Sequence, residues 1–221
     1  MRLVLVRHGQ TYANRARALD TSRPGLPLTA EGLEQAEGLA GRWESEIGAP
    51  PLVVAVSPLL RTRQTAAPLC AKYRISPLIR PGVRELRSGD VEMNADLVSD
   101  SIYVEGTGAW AHAHYGARMG GGETGAEVLA RALPVVAEVG ARTRALDPSG
   151  VGAIIAHGAV IRLLATALAK NLDGALVMAH FMGNTGTVDL EWPDRIPADP
   201  AALLGALRAR TWNSRPVDEW E

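Results

Sequence analysis

Three short aliphatic runs constrain this chain more than any other feature: LVLV (residues 3–6), PPLVVAVSP (residues 50–58) and VGAIIA (residues 151–156). Each is too short for an independent helix, and none alternates with polar residues. Such a run reads as a strand buried on both faces, as in a parallel sheet covered by helices. Helical spacing fills the intervals. LTAEGLEQAEGLAGRWES (residues 28–45) offers Thr29 as an N-cap, with Glu31 in the first turn. A second helix runs from residue 59 towards residue 72 and is strained at Pro68. Thr124 and Glu127 form a capping box that opens a long helix towards Leu146, bent at Pro134. AVIRLLATALAK (residues 159–170) is a further helix. ISPLI (residues 75–79) reads as a short strand at an edge, because of Pro77. TVDLEW (residues 187–192) reads as a late alternating strand, and LLGALRARTWN (residues 203–213) as a last one. Strands alternating with helices predict an α/β fold with a mostly parallel sheet and helices on both faces.

Two of the buried strands end alike, VLVRHG at Arg7-His8-Gly9 and IIAHG at His157-Gly158. In open α/β sheets ligands bind beyond the carboxyl ends of the strands, so these histidines are expected to share one crevice. From about residue 90 to residue 122 the periodicity fades and glycines cluster in MGGGE. That segment is expected to be an insertion or lid rather than core, within one domain spanning residues 1–221. The net charge of −1 and pI near 6.5 give no reason to propose a nucleic-acid or acidic-membrane surface. The single cysteine, Cys70, cannot form an internal disulfide and reads as a small buried hydrophobe. LVLV is too short for the apolar part of a signal peptide, and no run approaches the ~18 residues of a membrane span. The expectation is a cytoplasmic protein, with a homo-oligomer left open.

Arg7-His8-Gly9, SPLLRTRQTA with Arg61, RELRSGDVE with Glu85, GGET at residues 121–124 and AHG at residues 156–158 together resemble the histidine phosphatase superfamily, the phosphoglycerate-mutase-like group. The resemblance implies a three-layer α/β/α sandwich around a mostly parallel six-stranded sheet, and a phosphohistidine intermediate. The residue chemistry agrees with it. Phosphoryl transfer spreads negative charge over the equatorial oxygens, so a site without metal needs several positive donors converging on one point. Arg7 and Arg61 supply planar forks suited to phosphate. A neutral imidazole has a lone pair available near pH 7, so His8 can attack phosphorus. Gly9 lets the backbone approach closely beside it. Glu85 can protonate the leaving oxygen and then activate water, with Glu92 the competing acid in the same stretch. His157 is expected to hold phosphate oxygens with the two arginines.

Thr11, Asn14 and Asn184 match phosphate-contacting positions of the family, and capping or turn roles explain them equally well. His112 and His114 form an H-x-H without a third ligand at a convincing spacing, so no metal and no cofactor is expected. His180 beside Phe181 reads as structural or lid-related. Mutases of the family carry a tyrosine three residues after the acid and a lysine further on. Here those features are replaced by Ser88 and by a stretch without lysine between Lys72 and Lys170. Phosphatase branches often show a tryptophan and EG where this chain reads GDVEMN. The expected activity is therefore a metal-independent phosphatase acting on a small-molecule phosphomonoester. Phosphoglycerate mutase activity is the alternative enzyme, and a phosphate-ligand binding protein on the same fold the non-enzymatic alternative.

Overall fold

The structure, a computed structural model, describes residues 1–220. Its main sheet is built from β1 (Arg2–Arg7), β2 (Pro51–Val56), β3 (Leu78–Ile79), β4 (Val151–Ala156), β5 (Thr187–Glu191) and β6 (Arg208–Ala209). The spatial order of these six strands is β3-β2-β4-β1-β5-β6. β1, β2, β3 and β4 are parallel, while β5 runs antiparallel to both β1 and β6. The α/β class and the mostly parallel six-stranded sheet expected from the sequence are both found.

Strand alternation divides the core. Val4, Val6, Val54, Val56, Ala153 and Ile155 face one side, where α2 (Ala30–Ile47) and α3 (Leu60–Tyr73) supply Leu39, Trp43, Leu69 and Cys70. Leu3, Leu5, Val53, Ala55, Ile154 and Ala156 face the other, under α5 (Gly125–Leu146) and α6 (Gly158–Leu168). The result is a three-layer α/β/α sandwich. Each fully buried aliphatic side chain contributes about 1.5–3 kcal/mol, which is why LVLV tolerates no polar residue. Thr29 caps α2 by accepting from the Gly32 amide, and Thr124 and Glu127 close the capping box of α5, as expected. Cys70 is buried, and burial pushes its thiol up to about 11.

Three readings change. The segment from residue 90 to residue 122 holds a helix, α4 (Leu97–Ala111), and Trp110 and Met119 belong to the main core. Trp110 is anchored by its indole N–H to the Ala117 carbonyl at 2.8 Å. The segment is thus partly core. The inward residues of α4 include Ser99, Thr107 and the half-buried Tyr103, so an apolar period never appears. β5 alternates in residue type but not in burial. Its polar residues Thr187 and Asp189 are buried too, Asp189 against Arg2 at 2.8 Å. The closing stretch is broken into a 3₁₀ turn (Pro200–Leu203), β6, and a small hairpin of Thr211–Trp212 with Arg215–Pro216. Two short helices, α1 (Tyr12–Ala16) and α7 (Gly174–Ala179), carry too few residues for a periodic signal. Among the described residues, no helix is long and apolar enough to cross a membrane.

Candidate active site

β1 and β4 are neighbours in register, with Arg7 opposite Ala156, so the residues that follow each strand emerge side by side. The His8 amide donates to the Ala156 carbonyl at 3.1 Å, and the His8 and His157 rings stand 5.2 Å apart at 61°. The two rings carry opposite tautomers. Nδ1 of His8 lies 2.7 Å from the Gly9 carbonyl, which can only accept, so the proton is on Nδ1 and Nε2 keeps its lone pair. Nδ1 of His157 accepts from Arg61 Nε at 3.2 Å, which leaves Nε2 to donate to Ser57 Oγ at 2.7 Å. Burial lowers both imidazoles well below their ordinary value, His8 further through Arg61 and Arg7, and His157 through Arg61 and His8. Both rings are neutral at pH 7.

Gly9 is required by packing. A Cβ there would meet the Gly32 carbonyl at 2.6 Å, and one on Gly32 would meet the Gln10 carbonyl at 2.1 Å. The turn after His8 is therefore pressed against the start of α2. Thr65 Oγ1 holds it by accepting from the Gly9 amide at 3.0 Å.

A cleft of about 470 Å³ opens at this end of the sheet, lined among others by Arg7, His8, Arg61 and Glu85. Arg7 donates through Nη1 to the Met182 carbonyl, while its buried Nε has no partner. Arg61, 2% exposed, is held by His157 and by Asp20, whose main-chain carbonyl accepts at 2.8 Å and whose carboxylate accepts at 3.3 Å. Burial lowers both guanidinium groups from a value so high that they stay charged. Glu85 Oε1 accepts from the amides of Leu86 at 3.0 Å and Val160 at 3.3 Å, the latter in the first turn of α6. The main-chain carbonyl of Glu85 is clamped by Arg84 at 3.0 Å and Arg131 at 3.2 Å, both also bonded to the Glu123 carboxylate.

His8, Arg7, Arg61 and Glu85 are thus brought to one cleft from three separate stretches. His157 stands behind them, fully buried, with both nitrogens engaged and no place on the cleft wall. In this structure the contacts of its ring are therefore to Arg61 and Ser57. Glu92 is also turned away. It accepts from the Thr21 and Ser22 amides and from Ser88 Oγ. Burial pushes its carboxyl up, but the bonds from Ser88, Thr21 and Ser22 outweigh that and lower it. Thr11 and Asn14 form the reciprocal cap of α1 and line the cleft as well. Asn184 also lines it, donating to the His8 carbonyl at 3.1 Å and to Asn14 Oδ1 at 3.3 Å. His180 stacks on Trp220 at 4.5 Å, whereas its neighbour Phe181 lines the cleft. Among the described residues, no group of three or more His, Cys, Asp or Glu side chains could hold a metal ion, His112 and His114 included.

Sequence reasoning missed Asp20, Tyr103 and Arg162, all on the cleft wall. Only Arg162 carried a signal: a lone charge inside the otherwise apolar run AVIRLLATALA.

Comparisons with known proteins agree with this architecture. A glucosyl-3-phosphoglycerate phosphatase from Mycolicibacterium vanbaalenii is 30% identical over 96% of this chain and 94% of its own. PE-PGRS family protein PE_PGRS11 of Mycobacterium tuberculosis is 32% identical over 91% of this chain, which spans only 38% of that protein's length. The solved structure of a mycobacterial glucosyl-3-phosphoglycerate phosphatase complexed with VO3 superposes with a TM-score of 0.75 at 28% identity, covering 96% of this chain and 98% of the other. The family model for the histidine phosphatase superfamily (branch 1) matches residues 3–198, a span that takes in every residue drawn to the cleft, and the chain belongs to that superfamily.

Proposed function

We propose that this protein is a metal-independent phosphatase that hydrolyses small phosphomonoesters through a phosphohistidine on His8. The observation that carries the reading is the unprotonated Nε2 of His8, in a cleft shared with Arg7, Arg61 and Glu85. In the first half-reaction Nε2 forms a bond to phosphorus as the bond to the leaving oxygen breaks. The carboxylic acid of Glu85 gives that oxygen its proton. Arg7 and Arg61 neutralise the equatorial oxygens, and His157 and Asp20 hold Arg61 in plane for that contact. In the second half-reaction the Glu85 carboxylate takes a proton from water. The water oxygen bonds to phosphorus, the P–N bond breaks, and His8 returns to its neutral form with Nδ1–H still on the Gly9 carbonyl.

Ser88 favours hydrolysis over the mutase alternative. It is fully buried and donates to Glu92 at 2.6 Å, so it offers nothing to a bound phosphoglycerate. The relatives named for glucosyl-3-phosphoglycerate and for adenosylcobalamin or α-ribazole are both phosphatases, which fits this chemistry and leaves the substrate to residues around it. The test is turnover of a chromogenic aryl phosphate after exhaustive chelation. Activity that survives chelation is expected. Binding without turnover would favour a phosphate-binding protein, and activity restored only by one metal would overturn the mechanism.

A further inference from the structure

The loop that follows α7 forms one wall of the cleft, which Phe181, Met182 and Asn184 line. Its inner side is tied to the residues it faces. The Met182 carbonyl accepts from Arg7 Nη1, Asn184 donates to the His8 carbonyl, and the Thr185 amide donates to the Arg7 carbonyl at 3.1 Å. Its outer side is gripped by the hairpin of Thr211–Trp212 with Arg215–Pro216. Trp212 gives its indole N–H to the His180 carbonyl at 2.7 Å, and Ser214 Oγ accepts from the Thr187 amide at 3.2 Å. Between these two, Asn213 Oδ1 accepts from the Gly183 amide at 2.9 Å.

The Gly183 amide and the Met182 carbonyl belong to one peptide group. That group is planar, and its N–H and C=O point to opposite sides. Asn213 holds one end and Arg7 the other, so a single rigid plane joins the hairpin to the guanidinium. Gly183 is exposed, and water can satisfy its amide, but water does not fix the tilt of the plane. The bond from Nη1 sets the plane of Arg7 in turn. The opposite edge, Nε and Nη2, has no partner among the described residues and is left for two oxygens of one phosphate. The turn is shaped around this contact. Asn213 and Ser214 both have positive φ, 48° and 64°, which marks a two-residue type I′ turn, where glycine is the usual second residue. Gly186, on the other side, lacks a Cβ where one would run into Asn213 Oδ1. A strained turn and a missing side chain thus converge on one oxygen.

Resting on the phosphatase reading above, we propose that Asn213 is a positioning residue that sets Arg7, the clamp assigned to phosphate, through the Met182–Gly183 peptide.

The probe is inorganic phosphate, which has no leaving group and reads the clamp alone, titrated calorimetrically into the full chain. Asn213→Gly keeps the left-handed turn, which glycine adopts freely, and removes only the acceptor. Its melting midpoint should stay near that of wild type, while phosphate affinity falls about ten-fold, the scale of a clamp released from a charge-assisted contact. For nitrophenyl phosphate and an alkyl phosphate, kcat/KM should fall by a similar factor. A hairpin that only shaped the wall around Phe181 would instead change the ratio of the two esters and leave phosphate affinity alone. Asn213→Asp retains an acceptor for the Gly183 amide and should keep most of the wild-type affinity. If the chain binds phosphate with this dependence yet hydrolyses neither ester, the phosphatase reading falls and the positioning role stands. Phosphate affinity unchanged in Asn213→Gly, or lost equally in Asn213→Asp, would overturn the role.

Discussion

The Nδ1–H of His8 donates to the Gly9 carbonyl at 2.7 Å, and this one bond leaves Nε2 as the ring nitrogen with a free lone pair. Gly9 cannot shift to release it, because Gly32 packs against its α-carbon and Thr65 holds its amide. Phosphate is therefore expected on Nε2 alone. Rapid quench with labelled substrate should trap an acid-labile, base-stable phosphoenzyme, absent from His8→Ala. Phosphorus NMR of the denatured adduct should report the Nε2 isomer. Phosphate on Nδ1 or on serine would reject the assignment.

Glu85 and Arg61 should separate by leaving group. An alkyl oxygen needs a proton as it leaves, whereas a nitrophenolate disperses its charge. Glu85→Gln keeps the size of the side chain and cannot supply that proton. It should slow phosphorylation by alkyl phosphates more than by nitrophenyl phosphate, by about 10²-fold. Arg61→Ala removes a contact common to all substrates and should slow both classes similarly. Equal slowing in Glu85→Gln would place the acid elsewhere.

Both buried histidines tie stability to pH. Their folded values lie well below the ordinary 6.5, so the unfolded chain binds the extra protons. Stability is fully present above about 6.5 and declines as pH falls from there towards the folded values. Each histidine contributes a slope of up to about 1.4 kcal/mol per pH unit in that window. Denaturant melts between pH 7 and pH 5 should show a shallower slope in His8→Asn than in wild type. Parallel slopes would mean that His8 titrates alike in both states.

Glu123 acts in a lower window. Burial pushes its carboxyl up, but Arg84 and Arg131 outweigh that and hold it at about 2, against an ordinary 4.5. Its stabilising contribution is present above 4.5 and is lost as pH falls towards 2. Glu123→Gln leaves two partly buried arginines short of charge, so it should cost about 3 kcal/mol at pH 7. The deficit should shrink as pH drops below 4.5. Because the same arginines clamp the Glu85 carbonyl, kcat should fall as well. An undiminished deficit at low pH would assign the loss to packing.

What could be read in the chain beforehand followed from local rules. Continuous apolar runs named β1, β2 and β4, and the shared strand endings anticipated that Arg7, His8 and His157 would meet. Arg61 and Glu85 came from the family resemblance and lie on the cleft wall. The partners of His157, Arg61 and Ser57, were not legible, because a motif does not show which ring nitrogens are engaged. The 90–122 segment was misjudged for a related reason. α4 turns Ser99, Tyr103 and Thr107 inward at four-residue spacing, a polar stripe that apolar periodicity cannot detect and from which Tyr103 and Thr107 bond to Arg162. Asp20 sits in a turn where only the tertiary approach of Arg61 gives it meaning.

The pairing of β1 with β4, Arg2 opposite Val151, also sets a delay during synthesis. At ribosomal rates the strand waits on the order of 10 s for its parallel partner to be made, and longer still for β5. During that interval an aliphatic segment without a mate is open to pairing with other nascent chains. Arg2 and Arg7 bracket it, and flanking charges of this kind discourage intermolecular sheet growth. Arg7, on the wall of the finished cleft, is thus also placed where its charge opposes such pairing until β4 arrives.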